Sequence, residues 1–166
     1  AGVGGSLIYL VDRYGDHTIY DVDFELDPDA FTAPVTDARV ETPLVTHIDH
    51  LTHNLYRGNL EQWAEFYERV FNFKEARRFD IEGRLTGLVS RAMVSPCGKI
   101  RIPLNESADD ESQIEEFLER YRGEGIQHIA LATDDIYRTV AVLEARGVVF
   151  QETPATYFEA IDDRVQ

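Results

Sequence analysis

Cysteine is nearly absent from this chain: Cys97 is the only one among 166 residues. An internal disulfide is excluded, and a reducing, cytoplasmic setting is expected. Basic residues are also scarce. Lys and Arg number 16 against 31 Asp and Glu, a formal charge of −15. Nucleic acid and anionic membranes both bind through basic surface, so neither is expected as a partner. No apolar run approaches the ~20 residues that a membrane span requires. The opening Ala-Gly-Val-Gly-Gly-Ser carries no charged-then-apolar secretion signal and does not begin with Met. It reads as the interior of a longer polypeptide. A glycine-rich phosphate loop is lacking too. The length suits one well-cored domain or parts of two.

What the chain does have is histidine concentrated in one place. Of its five histidines, His47, His50 and His53 fall within seven residues. A helix would align them on one face, but Pro43 precedes the run, Arg57-Gly58 ends it, and Val45, Thr46 and Ile48 favour a strand. On a regular strand side chains alternate, so His50 points one way and His47 and His53 the other. One face at most can look into a site, and a second ligand must come from elsewhere.

The flanking sequence has readable punctuation. Ser6–Val11 is a short β-type run that His17–Tyr20 could pair with, and the acidic, proline-bearing stretch 21–45 reads as a linker. Asn59 is expected to cap a helix, with Gln62 closing the capping box. Leu60, Trp63, Ala64, Tyr67, Val70 and Phe71 make its apolar stripe, with Glu65 and Arg69 paired outside. Three β-like segments follow, Lys74–Ile81, Leu85–Ser95 and Lys99–Asn105, the last two joined by the turn Ser95-Pro-Cys-Gly98. Ser112 and Glu115 form a second capping box, opening a helix with Ile114, Phe117, Leu118 and Tyr121 inward. Gly125–Ala132 reads as a fully buried strand. Asp134–Arg146 reads as a helix on Ile136, Val140 and Leu143, followed by a strand at Val148–Phe150 and a short helix at Tyr157–Val165.

A repeat emerges from this order. Ile48-Asp49-His50 and Ile126-Gln127-His128 each close a strand-like run before a helix and a further strand. His50 and His128 are therefore candidate metal ligands, since neutral imidazole binds Fe, Zn, Cu and Ni. Spacing alone leaves this reading level with that of two satisfied strand histidines, while for His47 and His53 the structural role is favoured. Ser90, Asn105, Gln113 and Gln127 are polar groups in or beside apolar segments, which serve either the backbone or a ligand. Cys97 lies in a turn without a histidine beside it and is not expected to be a nucleophile.

Four co-linear stretches carry a resemblance: Ile48-Asp-His-Leu-Thr-His-Asn54, Ile100-Arg-Ile-Pro-Leu-Asn-Glu106, Gln113-Ile-Glu-Glu-Phe117 and Gly123-Glu-Gly-Ile-Gln-His128. In this order, and over nearly the whole chain, the sequence resembles the 4-hydroxyphenylpyruvate dioxygenase family. The resemblance implies an α+β vicinal-oxygen-chelate fold (glyoxalase/bleomycin-resistance/dioxygenase-like), built of βαβββ modules and incomplete at both ends. It divides the chain into the end of an N-terminal domain (1–20), a linker (21–45), a first module (46–111), and a connecting helix with the start of a second module (112–166). It implies non-haem Fe(II) held by His50, His128 and a carboxylate expected beyond Gln166, since Glu159 does not match the family's ligand. Ser90, Asn105, Gln113 and Gln127 would bind a small-molecule 2-oxo acid, which reacts with O2 to give homogentisate and CO2. The whole protein would be a homo-oligomer, and this stretch alone would show weak or absent Fe(II) binding and no turnover. Two alternatives remain: 4-hydroxymandelate synthase, against which Pro103 and Asn105 weigh, and a catalytically silent metal-binding domain of the same fold.

Overall fold

The β-favouring residues ahead of the histidines do form a strand, β1 (His47–Leu55). It belongs to a computed structural model that describes residues 1–12, 25, 44–82 and 87–159, without the side chains of residues 81 and 82. The helix α1 (Leu60–Phe71) follows, then β2 (Lys74–Glu82), β3 (Gly87–Val94) and β4 (Arg101–Ser107). The helix α2 (Gln113–Tyr121) leads into β5 (Gly125–Ala132), then α3 (Ile136–Ala145) and the short α4 (Ala155–Glu159). The strands form one sheet in the order β2-β3-β4-β1-β5. β2, β3 and β4 are an antiparallel meander. β1 runs parallel to β4 and antiparallel to β5.

Both longer helices preceding β5 lie on the sheet, α1 against β2, β3 and β4, and α2 against β1, β4 and β5. The core forms between them. Leu60, Ala64 and Tyr67 of α1 meet Leu55, Met93, Ile102 and Leu104 of the sheet, with Phe73 and Val3 at the margins. Burying each large apolar side chain contributes roughly 1.5–3 kcal/mol. Arg91 is a charge within this layer: it is buried, reaching Glu61 (2.5 Å) and Glu68 (3.2 Å) on α1 and Glu75 on β2. Its carboxylate partners compensate a guanidinium that would otherwise cost several kcal/mol to bury.

Local expectations differ from the structure in instructive places. Asn59 sits at the N-cap of α1, but its side chain makes no capping hydrogen bond. Glu106 of β4 caps the helix instead, its Oε2 accepting from the N–H groups of Gly58 (2.9 Å) and Leu60 (3.2 Å). A carboxylate there also favours the positive end of the helix dipole. Val70 is 56% exposed. It lines an open cavity of about 470 Å3 with Ala1, Trp63 and Phe66, on a flank the sheet does not reach. The Ser112 cap is as expected, its Oγ accepting from the Glu115 N–H at 3.4 Å. Tyr121, expected inward, is exposed and stacks on Phe117 with ring centroids 5.1 Å apart.

The two ends correct the sequence reading further. Ser6–Val11 is not a strand among the described residues, and Leu10 is largely exposed there. A strand needs a ladder partner, and His17–Tyr20, the expected one, lies outside the described residues, as does nearly all of the linker. Instead Val3–Gly5 forms a 3-10 turn that buries Val3. Gly4 has φ +60°, and a Cβ there would lie 1.9 Å from the Glu124 carbonyl oxygen, so only glycine fits. β5 is not fully buried: Ile129 and Leu131 are 56% and 57% exposed. It ends the sheet and has β1 as its one neighbour among the described strands. Ile136 is likewise exposed while Thr139 is the buried residue of α3. Val148–Phe150 is not a strand, and α4 begins at Ala155, two residues before the expected start.

Candidate functional site

β1 and β5 bring the two repeat histidines together. Thr52 stands opposite His128 and His50 opposite Ala130, so His50 and His128 are diagonal neighbours on one face. Their Nε2 atoms are 3.3 Å apart. The rings meet edge-on, at an interplanar angle of 75°.

The remaining ring nitrogens have partners that define the tautomers. His50 Nδ1 donates to Asp49 Oδ2 at 2.8 Å, and Asp49 Oδ1 accepts from Arg101 Nη1 at 2.6 Å. His128 Nδ1 donates to the side-chain carbonyl of Gln127. Each neutral ring then carries its proton on Nδ1 and turns an Nε2 lone pair toward the other. The Thr52 hydroxyl, 3.0 Å from His128 Nε2, donates to that lone pair. The hydrogen bond from His50, with Arg101 nearby, holds the Asp49 carboxyl below the usual carboxylate range. Partial burial, and then the neighbouring His50, pushes the His128 imidazole down.

Two nitrogen lone pairs facing each other at 3.3 Å repel unless a proton or cation lies between them, even where, as at His128, one also accepts from a hydroxyl. Metal–nitrogen bonds of about 2.1 Å can span such a gap, and an outer hydrogen bond on each Nδ1 is the usual companion of histidine ligation. The donor set fits a divalent transition metal. Among the described residues there is no group of three or more His, Cys, Asp or Glu side chains placed to hold one. The two histidines are thus a pair rather than a closed site.

The other two clustered histidines separate. His53 is buried on the helix side of β1, its Nδ1 at 3.1 Å from the Leu51 carbonyl and its Nε2 at 3.0 Å from the Tyr67 hydroxyl. Burial pushes its imidazole down from 6.5, and pushes the Tyr67 phenol up to about 12. His47 is exposed and pairs with the Thr46 hydroxyl at 2.9 Å. Regular alternation does not hold on its side of His50. A register shift between Ile48 and His50 leaves Asp49 as an extra residue, so His47 and His50 stand opposite Ala132 and Ala130, which share a face.

Of the four polar candidates, Ser90 and Asn105 are cross-strand partners, and Asn105 is also in register with Asn54 of β1. These three form a row across β3, β4 and β1, on the face opposite the helices by alternation from Arg91, Leu104 and His53. Gln127 joins the histidines through its bond to His128. Gln113 stands apart: it opens α2 and is exposed, and among the described residues no hydrogen bond connects it to the others. Thr52, Asp49, Arg101 and Asn54 were missed. Asp49 could have been found, because it holds in one repeat the place Gln127 holds in the other; the rest become visible only through strand register.

The profile of the Glyoxalase/Bleomycin resistance protein/Dioxygenase superfamily matches residues 47–160. The chain belongs to this superfamily. The match takes in all five strands of the sheet and both His50 and His128. It is 62% identical over 164 residues to a Pseudomonas aeruginosa protein named 4-hydroxyphenylpyruvate dioxygenase, covering 99% of this chain and 44% of that protein. It is also 62% identical over 165 residues to Hemolysin VllY of Vibrio vulnificus, covering 99% and 45%. The chain spans less than half the length of these two relatives. Among solved structures, a triple mutant of 4-hydroxymandelate synthase from Streptomyces coelicolor superposes with a TM-score of 0.66 at 32% identity, covering 75% of this chain and 37% of that one. No helix among the described residues is long and apolar enough to cross a membrane.

Proposed function

We propose that the protein carrying this chain is a non-haem Fe(II) dioxygenase that converts 4-hydroxyphenylpyruvate and O2 to homogentisate and CO2. The observation that carries the proposal is the convergence of two Nε2 lone pairs at 3.3 Å in a chain 62% identical to a protein of that name. His50 and His128 would hold the metal, with a carboxylate from elsewhere in the polypeptide as third ligand. Fe(II) bound there would supply the redox chemistry that lets O2 react with a chelated 2-oxo acid. Ser90 and Asn105, adjacent across β3 and β4, present hydroxyl and amide groups suited to orienting the phenol end of the substrate. Gln127 engages His128 through its carbonyl, which leaves its amide N–H2 for a ligand. Gln113 is proposed as a further substrate contact on the family resemblance alone.

The structural likeness to 4-hydroxymandelate synthase favours a second reading, in which the same substrate is hydroxylated on its side chain. Product analysis separates the two. The whole protein, supplied with Fe(II), O2 and 4-hydroxyphenylpyruvate, is expected to form homogentisate. Accumulation of 4-hydroxymandelate would select the second reading, and neither product would overturn both.

A further inference from the structure

Both histidines are preceded by a residue that bonds their own Nδ1, which neighbours on a regular strand cannot easily do because their side chains point to opposite faces. The sheet solves this with two β-bulges. One shift, between Ile48 and His50, makes Asp49 the extra residue of β1; the other, between Thr52 and His53, makes Gln127 the extra residue of β5. A bulge relaxes strict alternation and re-aims the side chain at that point. Asp49 turns toward His50, and its two carboxylate oxygens are engaged separately. Oδ2 accepts from His50 Nδ1 at 2.8 Å, and Oδ1 accepts from Arg101 Nη1 at 2.6 Å.

We propose that Asp49, clamped by Arg101, is a positioning residue that sets the tautomer of His50 and so keeps its Nε2 free for a metal. This rests on the reading that His50 and His128 hold one. The clamp gives the idea a sharp consequence. Asparagine is nearly isosteric with aspartate but has a single side-chain oxygen. Arg101 carries only donors and would take that oxygen, leaving the amide N–H2 facing His50 Nδ1. A donor at that point demands a lone pair on Nδ1 and moves the proton to Nε2, the atom the metal needs. Removing Arg101 as well frees the amide to turn and offer its oxygen to Nδ1–H. A second substitution should then restore what the first destroyed, whereas for a merely structural ion pair the double variant would be no better than the single.

The test uses the whole protein, with Co(II) as the probe for affinity and imidazole 15N–1H spectra of the metal-free protein for the tautomer. Asp49→Asn is expected to weaken Co(II) binding about 10- to 100-fold and to move the His50 proton to Nε2. Asp49→Asn combined with Arg101→Ala is expected to recover affinity and the Nδ1–H signature, and Arg101→Ala alone to retain both. The proposal is overturned if Asp49→Asn leaves tautomer and affinity unchanged, or if the double variant is no better than the single. His50→Ala separates the two readings. Should it bind Co(II) like the wild type, the metal site and this inference fall together. Should it lose binding while Asp49→Asn keeps it, only the inference falls.

Discussion

Nε2 of His50 lies 3.3 Å from Nε2 of His128, although 78 positions separate them in the sequence. Strand pairing holds them there, since Thr52 opposes His128 and His50 is the next position on the same face. Neither ring must swing to meet the other, so the pair is organised in advance of any ion.

With a metal held as proposed, this relationship predicts that His50→Ala or His128→Ala removes it from the whole protein. The loss should exceed the roughly 10- to 100-fold typical of removing a residue that only hydrogen-bonds a ligand. His47→Ala should keep most of the metal, because its ring nitrogen pairs with Thr46 and not with the site. Metal content of the three purified variants checks this; equal losses from His47→Ala and His50→Ala would contradict the pairing.

The His53–Tyr67 pair predicts stability limits at both ends of the pH scale. The folded His53 binds a proton less readily than the unfolded one, whose value is 6.5. Stability is then complete above 6.5 and is lost as pH falls below it toward the depressed folded value. Tyr67 is raised from 10.0 to about 12, so its contribution is complete below 10 and lost as pH rises toward 12. Tyr67→Phe should abolish the alkaline limb and, by leaving His53 Nε2 without its partner, cost about 1–3 kcal/mol near neutrality. Urea unfolding across pH reads both effects.

Glu124 should behave as a structural carboxylate. It is buried and accepts from the Tyr56 N–H (2.9 Å), Asn59 Nδ2 (2.7 Å) and Trp63 Nε1 (2.9 Å). Glu124→Ala strands three donors and should destabilise by on the order of 3 kcal/mol. Trp63 is the single tryptophan, so its emission reports the change directly. An unshifted spectrum together with unchanged stability would refute the assignment.

Capping of α1 offers a further contrast. Glu106→Ala should cost about 1 kcal/mol and fray the first turn of α1. Asn59→Ala should act only through its bond to Glu124. In a Glu124→Ala background the Asn59 substitution should therefore lose most of its effect, whereas that of Glu106 should persist. A double-mutant cycle on unfolding free energies measures the difference.

Much of this architecture was legible in residues alone. The β-α-β-β-β order follows from apolar periodicity and from punctuation such as Ser95-Pro-Cys-Gly98 and the Ser112 cap, because those signals act over a few residues. The pairing of His50 with His128 was legible as a repeat, since equivalent positions in like modules land in equivalent places. Tertiary structure decided the rest. Glu106 displaces Asn59 as the cap because parallel pairing brings the end of β4 beside the start of α1. The position of β5 at the edge of the sheet exposes apolar residues that composition would bury. The bulge at Asp49 overrules the alternation that assigned His47 to the far face, and the two bulges together aim Asp49 and Gln127 at their own histidines. A bulge is one extra residue in a register, and register belongs to two strands at once; no single stretch of sequence carries it.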